Sequence, residues 1–460
     1  MTGDRDKKAA WLTVAGQVWA IVLAACLCLG FLAGCHHWPT PEDLSRIPQN
    51  MAPLGREAAW RVKPAVAARL ARAYLSEHYS PWQRGAAKYG PRDLVETYAK
   101  VAAEPGWGAN MRRHGREWLD RLERLVDLNN FRGRAVPGIT LARVNLRLLP
   151  TENPDFFGIR AGGGFPFDRL QQTALHPGTP LLITHRSADR SWLWVESGVA
   201  AGWLPADKAA PLGAAPRAHW RSVPLLTILR DDTPLYGSDG RFLFKASIGA
   251  LFPLLEKGPD HYLVLAPRPG PGGQAALAPA VLAAEAAAPW PLPLSSRRVA
   301  AVAQGMLGVP YGWGGLYGWR DCSAATKDLF AVFGLWLDRN SGDQAKNGAR
   351  YLDLSGASPA DKGRLIRAHA VPLASLLWLP GHIMLFAGQS EGEFRVWHAV
   401  WGVRTWGPFR GEGRAVVGQT ALTSLNLGME IPGRAGPEEG LLARVRGLVL
   451  LLPEKGLQAD

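Results

Sequence analysis

One cysteine and two histidines have the types and surroundings from which a nucleophilic site could be built. Cys322 follows a run rich in Gly, Trp and Tyr, and apolar residues recur after it at helical spacing, which places it on the first turn of a predicted helix. Unpaired N–H groups and the positive end of the helix dipole favour a thiolate there. His382 and His398 each lie in an apolar segment that predicts a strand. A thiolate, an imidazole that accepts its proton and a third polar group that fixes the imidazole tautomer can together perform acyl transfer.

The cysteine count favours a reactive thiol. Of the four cysteines, Cys26 and Cys28 lie in an apolar segment that we expect to be removed, and Cys35 is expected to carry lipid. Cys322 then has no disulfide partner, and it has no CxxC or HxxxC neighbour that would favour metal binding. The eleven histidines form no HExxH or HxH pattern, so neither a metal nor another cofactor is expected. The alternative is a buried cysteine that serves only as a small apolar residue.

These pieces together resemble the NlpC-type cell-wall cysteine peptidases, which have a papain-like α+β core. The matching pieces are Tyr311 with the Trp-Gly-Gly that follows it, Asp-Cys-Ser around Cys322, Pro-Gly-His ending at His382, and His398. The resemblance implies that Cys322 is the nucleophile, His382 the general base and acid, and His398 the third member of the triad. It also implies that Tyr311 helps the Cys322 backbone N–H to stabilise the oxyanion.

The family resemblance also bears on how a substrate amine would be bound. The family's Pro-Arg-Asp-Ser segment contributes to the substrate groove, so the resemblance implies that Asn340 and Ser341 are substrate-binding candidates. The segment is matched at Arg339 and Ser341, but Asn340 stands where the family has Asp. Because that carboxylate is lost, Asp321 and Ser323 on either side of the nucleophile become the remaining candidates to bind the amine.

In members of the family with SH3-type barrels, the first barrel covers one end of the groove and restricts the enzyme to peptides with a free N-terminal L-Ala. An acidic residue there would pair with the Ala ammonium, and Glu152 is the candidate. Trp194 is the candidate for a wall of the groove. The alternative for Glu152 is an exposed side chain that is only solvated, which is the common state of Glu in a turn.

The length of 460 residues, with 47% hydrophobic and 20% charged residues, indicates several globular domains. Helical periodicity and then short alternating runs resemble a helical stabilising segment followed by bacterial SH3-type domains. The expected fold is multidomain α+β, with a helical N-terminal domain, two small SH3-like β-barrels and a C-terminal papain-like α+β peptidase domain. The expected boundaries are 1–34 for a signal peptide, 35–60 for a tether, 61–132 for the helical domain, 133–213 and 214–268 for the barrels, 269–293 for a linker and 294–456 for the peptidase domain.

The amino terminus predicts export. A basic start precedes an apolar run over residues 11–32, and the sequence Leu-Ala-Gly-Cys that ends at Cys35 resembles a bacterial lipobox. Cleavage and lipidation at Cys35 would anchor the protein to a membrane, facing the periplasm. His36 in place of Asp favours the outer membrane if the source is Gram-negative. An uncleaved membrane helix is the alternative, because the run is long enough to span a bilayer.

The formal net charge is +13. A basic surface outside the cytoplasm suits acidic polymers such as peptidoglycan or lipid head groups, although a solvated Arg-rich surface would give the same charge. The predicted location outside the cytoplasm disfavours nucleic acid as a partner. We expect the protein to be a monomer.

The resemblance implies a cell-wall endopeptidase that hydrolyses the γ-D-Glu to diaminopimelate amide bond of peptidoglycan stem peptides, preferring those with a free N-terminal L-Ala. The same Cys-His-His triad could cleave the D-Ala to diaminopimelate cross-link or act as an amidase, because bond choice depends on the shape of the groove. The remaining alternative is a non-catalytic peptidoglycan-binding lipoprotein, and the presence of the complete triad argues against it.

Overall fold

The computed structural model describes residues 39–131, 133–158, 163–407, 411–432 and 440–460. The predicted signal peptide and the lipidation site at Cys35 lie outside these residues. The chain divides into two compact units, Met1–Thr40 and Pro41–Asp460, and all elements named below belong to the second. Within the described part of the chain, no helix has the length and apolar character needed to cross a membrane.

Helices make up the amino-terminal region, which confirms the predicted helical segment. They are α1 (Asp43–Arg46), α2 (Ala52–Ala58), α3 (Pro64–His78), α4 (Ser80–Gln83), α5 (Pro91–Ala103) and α6 (Arg116–Val126), with strand β1 (Trp60–Val62) between α2 and α3. Four of these helices, α2 to α5, carry proline in their first turn, where the missing N–H has no intrahelical partner to lose.

The segment that precedes β1 is not a tether, and the interpretation of 35–60 as extended linker is wrong for its described part. Met51 is fully buried in the core of the peptidase domain. Asp43 accepts hydrogen bonds from the backbone N–H and the hydroxyl of Ser424, at 2.7 and 2.9 Å. The four prolines of this segment suggested an extended chain. A segment without long helices can still pack against a domain when it supplies buried apolar residues and hydrogen-bond partners.

The first SH3-like domain is a seven-stranded sheet with the strand order β10-β2-β7-β8-β9-β3-β6, and β4 and β5 form a separate two-stranded sheet. Its strands are β2 (Val136–Thr140), β3 (Val144–Arg147), β4 (Phe156–Gly158), β5 (Gly163–Asp168), β6 (Gln171–Leu175), β7 (Pro180–Arg186), β8 (Trp192–Glu196), β9 (Ala201–Pro205) and β10 (Ala209–Pro211). The sheet is open, because β10 and β6 are its two edges. The multidomain α+β fold class is confirmed, with open sheets in place of closed barrels.

The second SH3-like domain follows helix α7 (Ala214–Ser222) and has the strand order β13-β12-β16-β15-β14-β11-β17. Its strands are β11 (Leu225–Ile228), β12 (Thr233–Gly237), β13 (Phe242–Ala246), β14 (Leu251–Lys257), β15 (His261–Pro269), β16 (Ala275–Ala283) and β17 (Ala287–Pro289). The predicted linker 269–293 is therefore wrong over most of its length. Its alanines suggested a flexible segment, but Ala280 and Leu282 are buried in the sheet core, where small side chains allow close packing.

The carboxy-terminal domain is α+β, with a six-stranded antiparallel sheet in the order β18-β23-β19-β20-β21-β22. Its elements are α8 (Ser296–Gln304), α9 (Cys322–Ala331), α10 (Ser341–Gln344), β18 (Arg350–Asp353), α11 (Pro359–His369), β19 (Ser375–Leu379), β20 (His382–Ser390), β21 (Glu393–Gly407), β22 (Gly411–Ser424), α12 (Leu441–Arg444), β23 (Gly447–Leu450) and β24 (Leu457–Ala459). Helix α9 packs on β20 and β21 through a buried apolar core. Strand β24, close to the end of the chain, pairs with β1 of the amino-terminal region.

Candidate active site

Cys322 is the first residue of α9, as the sequence predicts. The Asp321 side chain caps the helix by accepting the Ala324 backbone N–H at 2.8 Å. The helix is buried against the sheet along almost its whole length, and Cys322 is only 7% exposed. Its sulfur receives hydrogen bonds from the backbone N–H groups of Ser323 and Ile383, and the second of these places the thiol beside His382.

The two histidines are hydrogen-bonded to each other. His382 begins β20, His398 lies in β21, and these strands are antiparallel neighbours. Nε2 of His382 lies 2.7 Å from Nδ1 of His398. On its other side, Nε2 of His398 lies 3.0 Å from the hydroxyl of Thr423 on β22. The Thr423 hydroxyl in turn donates to the carbonyl of Ser424 at 3.1 Å.

This chain of hydrogen bonds fixes the tautomer of both imidazoles. Because the single proton of the Thr423 hydroxyl goes to a carbonyl, the oxygen can only accept from Nε2–H of His398. Nδ1 of His398 is then an acceptor, and it accepts from Nε2–H of His382. The Nδ1 of His382 is left without a proton, and this is the nitrogen that can take one from a thiol.

Burial keeps both candidate reacting groups neutral at rest. It raises the pKa of the Cys322 thiol to about 12, and the negative charge of Asp321 acts in the same direction. Burial lowers the pKa of His382 to about 4, assisted by the positive charge of Arg444. Desolvation of the thiol thus acts against the helix dipole, which by itself would favour a thiolate. The arrangement is a thiol beside a neutral base.

Tyr311 lines the cavity next to His382 and is itself buried. Burial raises its pKa well above the usual range, and the charge of Asp321 adds to this effect. The phenol therefore keeps its proton and can act as a hydrogen-bond donor. This is the state that an oxyanion-stabilising role requires.

The loop between Tyr311 and Cys322 is shaped by the first SH3-like domain. Gly314 and Gly315 have positive φ angles of 60° and 86°, and a Cβ on them would lie 2.4 Å from Gln171 and 2.7 Å from Ala174 of β6. The Gln171 side-chain amide donates to the Gly314 carbonyl at 2.9 Å. The Trp-Gly-Gly sequence is thus explained by a turn into which β6 fits closely.

Asp321 and Ser323 belong to a closed internal network. The Asp321 carboxylate receives the Arg339 guanidinium at 2.6 and 3.1 Å and the Gly314 backbone N–H at 2.9 Å. Together with the α9 cap and the Ser323 hydroxyl, these bonds occupy its lone pairs. The prediction that Asp321 and Ser323 bind a substrate amine is therefore wrong. Arg339 also donates to the Thr173 hydroxyl of β6 at 2.7 Å.

The second SH3-like domain contacts the same helix through an ion-pair chain. Arg320 bonds Asp328 of α9 at 2.7 Å and reaches Asp231 of the second domain at 2.7 Å. His176, just after β6, lies 3.4 Å from the Asp328 carboxylate. Both SH3-like domains therefore fix the position of α9.

Two cavities are each lined by residues of both the first SH3-like domain and the peptidase domain. One of about 220 Å³ is lined by Tyr311, Phe167 and His382. The other, of about 550 Å³, is lined by Glu152, Phe165 and Tyr317. Phe165 and Phe167 both belong to β5, so this strand contributes to both cavities.

The remaining predicted binding residues are not gathered at these cavities. Trp194 is buried in a core between the first sheet and helices α5 and α6, so its prediction as a groove wall is wrong. A Trp in an alternating strand pattern can face either a core or a groove, and the pattern does not distinguish these two positions. Asn340 and Ser341 start α10 and line neither cavity. Among the described residues, no group of His, Cys, Asp or Glu is arranged to hold a metal ion.

Sequence reasoning missed Thr423 and three arginines, Arg404, Arg414 and Arg444, that line the smaller cavity. Thr423 lies in an ordinary alternating strand segment, which gives no signal for a bond to a histidine 25 residues away. The arginines come from β21, β22 and α12 and converge only in the fold.

Comparison with protein families supports this description of the site. Residues 308–390 match the model of the NlpC/P60 family, and this match encloses Tyr311, Cys322 and His382. The carboxy-terminal domain is therefore similar to the NlpC/P60 family over the segment that carries these three residues. Residues 24–131 match the NlpC/P60 stabilising domain, and residues 154–205 and 217–259 match SH3 domains of the SH3b1 and SH3b2 types. The NlpC/P60 family consists of cysteine peptidases that act on peptidoglycan, and this similarity supports a cell-wall endopeptidase.

A solved structure shows the same fold. An NlpC/P60 endopeptidase from Photobacterium damselae subsp. piscicida is similar with a TM-score of 0.74 and 23% identity, over 85% of this chain and 93% of that chain. An NlpC/P60 family protein from Bacillus cereus ATCC 10987 has a TM-score of 0.48 and 17% identity, over 69% of this chain and 100% of that chain. No curated protein matches the chain by sequence.

Replacing Thr423 with Val should lower kcat for peptide hydrolysis by about tenfold or more while changing KM little, because His398 loses the acceptor that fixes its tautomer. Thr423→Ser keeps the hydroxyl and should retain most of the activity. Steady-state kinetics of the three proteins, with circular dichroism to check folding, would measure this. Equal activity of the Val variant and the parent protein would remove Thr423 from the site.

The resting thiol should react slowly with iodoacetamide at neutral pH. Because the thiolate is the reactive form and the pKa of Cys322 is raised to about 12, the rate should rise about tenfold per pH unit between pH 6 and 9. Cys322 is the only cysteine in residues 36–460, so alkylation of that fragment reports on this thiol alone. A rate that levels off below pH 7 would show a preformed thiolate–imidazolium pair instead.

Proposed function

We propose that this peptidase hydrolyses the amide between γ-D-glutamate and diaminopimelate in peptidoglycan stem peptides, with Cys322, His382 and His398 as its triad. The observation that carries the proposal is the hydrogen-bond chain from His382 through His398 to Thr423. This chain leaves Nδ1 of His382 as a proton acceptor. His382 begins β20, the strand that contacts the Cys322 thiol. A histidine that served only as a buried core residue would not need its tautomer fixed by two successive partners.

The neutral resting pair defines the order of proton transfers. Nδ1 of His382 takes the thiol proton as the Cys322 sulfur attacks the scissile carbonyl carbon, and a tetrahedral intermediate forms. The imidazolium then gives this proton to the departing amine, the C–N bond breaks, and a thioester remains. A water molecule, deprotonated by His382, attacks the thioester and releases the acid and the thiol. His398 holds the His382 ring in position through both halves of the reaction.

The oxyanion of each tetrahedral intermediate is stabilised by hydrogen-bond donors that are already in place. Cys322 lies at the first position of α9, where its backbone N–H has no intrahelical acceptor. The Tyr311 hydroxyl stays protonated and lines the same cavity as His382. Removing one donor of this kind costs about 10²–10³ in kcat in enzymes that use an oxyanion hole.

A free N-terminal L-Ala is the second part of the proposal. Glu152 is exposed and lines the cavity of about 550 Å³ together with the aromatic rings of Phe165 and Tyr317. A carboxylate beside apolar side chains suits an ammonium group next to a methyl group. Since β5 contributes to this cavity and to the one beside His382, a peptide that passes this strand would reach both.

The location of the protein in the cell is the third part of the proposal. The similarity to cell-wall hydrolases supports a location outside the cytoplasm. We include in the proposal that Cys35 carries lipid and holds the enzyme at a membrane of the cell envelope, because the residues before it resemble a lipobox.

Incubation of L-Ala-γ-D-Glu-diaminopimelate with purified residues 36–460 should release the L-Ala-γ-D-Glu dipeptide, as detected by mass spectrometry. The Cys322→Ala protein should release none, because the nucleophile is absent. The N-acetylated peptide should be cleaved poorly, since it has no ammonium for Glu152. Glu152→Gln, which keeps the size of the side chain, should raise KM for the free-amine peptide about tenfold or more and abolish the difference between the two substrates.

Other outcomes of this experiment separate the alternatives. Digestion of cross-linked peptidoglycan without cleavage of the tripeptide would replace the proposed bond with the D-Ala to diaminopimelate cross-link. Binding to peptidoglycan without any cleavage would favour a non-catalytic protein. Equal cleavage of the free and acetylated tripeptides would keep the bond and remove the requirement for a free amine.

Mass spectrometry of the protein extracted from membranes of an expressing bacterium should show an acylated amino terminus at Cys35, with residues 1–34 removed. The Cys35→Ala protein should keep the full-length chain, because lipoprotein processing requires the cysteine. Recovery of the unmodified full-length parent chain from the membrane would favour an uncleaved membrane anchor.

A further inference from the structure

The cavity beside His382 is strongly basic. Arg404, Arg414 and Arg444 line it, and among the described lining residues there is no Asp or Glu. The rest of the described lining is aromatic, aliphatic or glycine, apart from the neutral His382. A cavity of about 220 Å³ with three guanidinium groups in its wall is poorly suited to an apolar or cationic ligand.

The three guanidinium groups are held close enough to influence one another. The pKa of Arg414 is lowered, first by burial and then by the charge of Arg404, and Arg444 adds a smaller effect in the same direction, while Glu412 and Tyr311 act against the shift. Arg404, which is exposed, lies 3.5 Å from the carboxylate of the half-buried Glu412, a long distance for an ion pair. An anion bound in the cavity would relieve this repulsion.

The position of the arginines relative to His382 identifies the part of the substrate that they face. The general acid of an acyl-transfer site must lie within hydrogen-bond reach of the leaving amine. His382 lines the cavity that holds the arginines, so the residue that carries the leaving amine occupies this cavity. In the proposed reaction that residue is the diamino acid.

We propose that Arg404, Arg414 and Arg444 bind the carboxylates of the leaving diamino acid and make the enzyme selective for diaminopimelate over lysine. This inference rests on the proposed function. The two diamino acids have the same α-carboxylate and the same second amine, and diaminopimelate has one more carboxylate, next to that second amine. Guanidinium groups bind carboxylates through paired hydrogen bonds.

The arginines differ in how firmly they are held. The Arg414 guanidinium lies over the Phe167 ring, 5.2 Å from its centre, so the first SH3-like domain helps to position it. Arg404 and Arg444 are exposed and have more freedom to adjust to a ligand. Together with Glu152 in the second cavity, this arrangement offers a negative group to the amino end of the peptide and positive groups to its acidic end.

The test compares L-Ala-γ-D-Glu-meso-diaminopimelate with L-Ala-γ-D-Glu-L-Lys by the kcat/KM of dipeptide release at pH 7.5. The parent enzyme should prefer the diaminopimelate peptide by about 10- to 100-fold, the value of one charge-assisted hydrogen-bond pair. Arg404→Gln and Arg444→Gln should each reduce that ratio, and the double variant should bring it close to one. Arg446→Gln is the matched control, because Arg446 is exposed, lies two residues after Arg444 and does not line the cavity.

The outcomes distinguish this inference from the proposed function. Equal cleavage of both peptides by the parent enzyme, or a ratio that neither variant nor their combination changes, would overturn the carboxylate site and leave the proposed function standing. An equal loss of selectivity in Arg446→Gln would also overturn it, because the effect would then come from surface charge in general. If the parent enzyme cleaves neither peptide at this bond, the proposed function fails and the inference fails with it.

Discussion

The candidate active site depends on one buried ion pair, between Asp321 and Arg339. The carboxylate caps the nucleophile helix, receives the N–H of Gly314 and binds the guanidinium through both oxygens. Both side chains are buried, and removing one partner of such a pair typically costs about 3–5 kcal/mol because the other charge is left without compensation. The start of the helix, the loop that carries Tyr311 and the residues after the helix are thereby held in one geometry. The same carboxylate contributes to the high pKa of Cys322, so the interaction that positions the nucleophile also keeps it protonated at rest.

The site holds two neutral reacting groups, Cys322 and His382, among ionised side chains. Cys322 and His382 carry no charge at neutral pH, while ionised groups surround them at Asp321, Arg339 and the arginines of the cavity. Charges therefore develop on the reacting groups only when a substrate is attacked. Stabilisation directed at the transition state in this way raises kcat, whereas stabilising a resting thiolate would lower the energy of the ground state.

Local patterns predicted those parts of the site that depend on neighbouring residues in the sequence. The helix start at Cys322 and the strands at His382 and His398 follow from turn residues and apolar spacing. The sequence could not show that desolvation acts against the helix dipole at Cys322, because burial is decided by how α9 packs on β20 and β21. It could not show that Arg339 binds Asp321 and so withdraws it from substrate binding. Composition gave the wrong prediction in two places. The alanines of residues 269–293 suggested a linker but form a central strand of the second sheet. The prolines before β1 suggested a tether, but that part of the chain packs on the peptidase domain. These errors share one cause, since each residue's role is set by contacts from distant segments.

The contact between β6 and the peptidase domain has a consequence for engineering proteins of this kind. Thr173 and Gln171 belong to an SH3-like domain by sequence, yet they bond Arg339 and Gly314 of the peptidase domain. A gene fusion that moved the peptidase domain to another protein without this sheet would leave Arg339 and the glycine turn without these partners. The boundary that separates the two domains in the sequence is therefore a poor place to cut the gene.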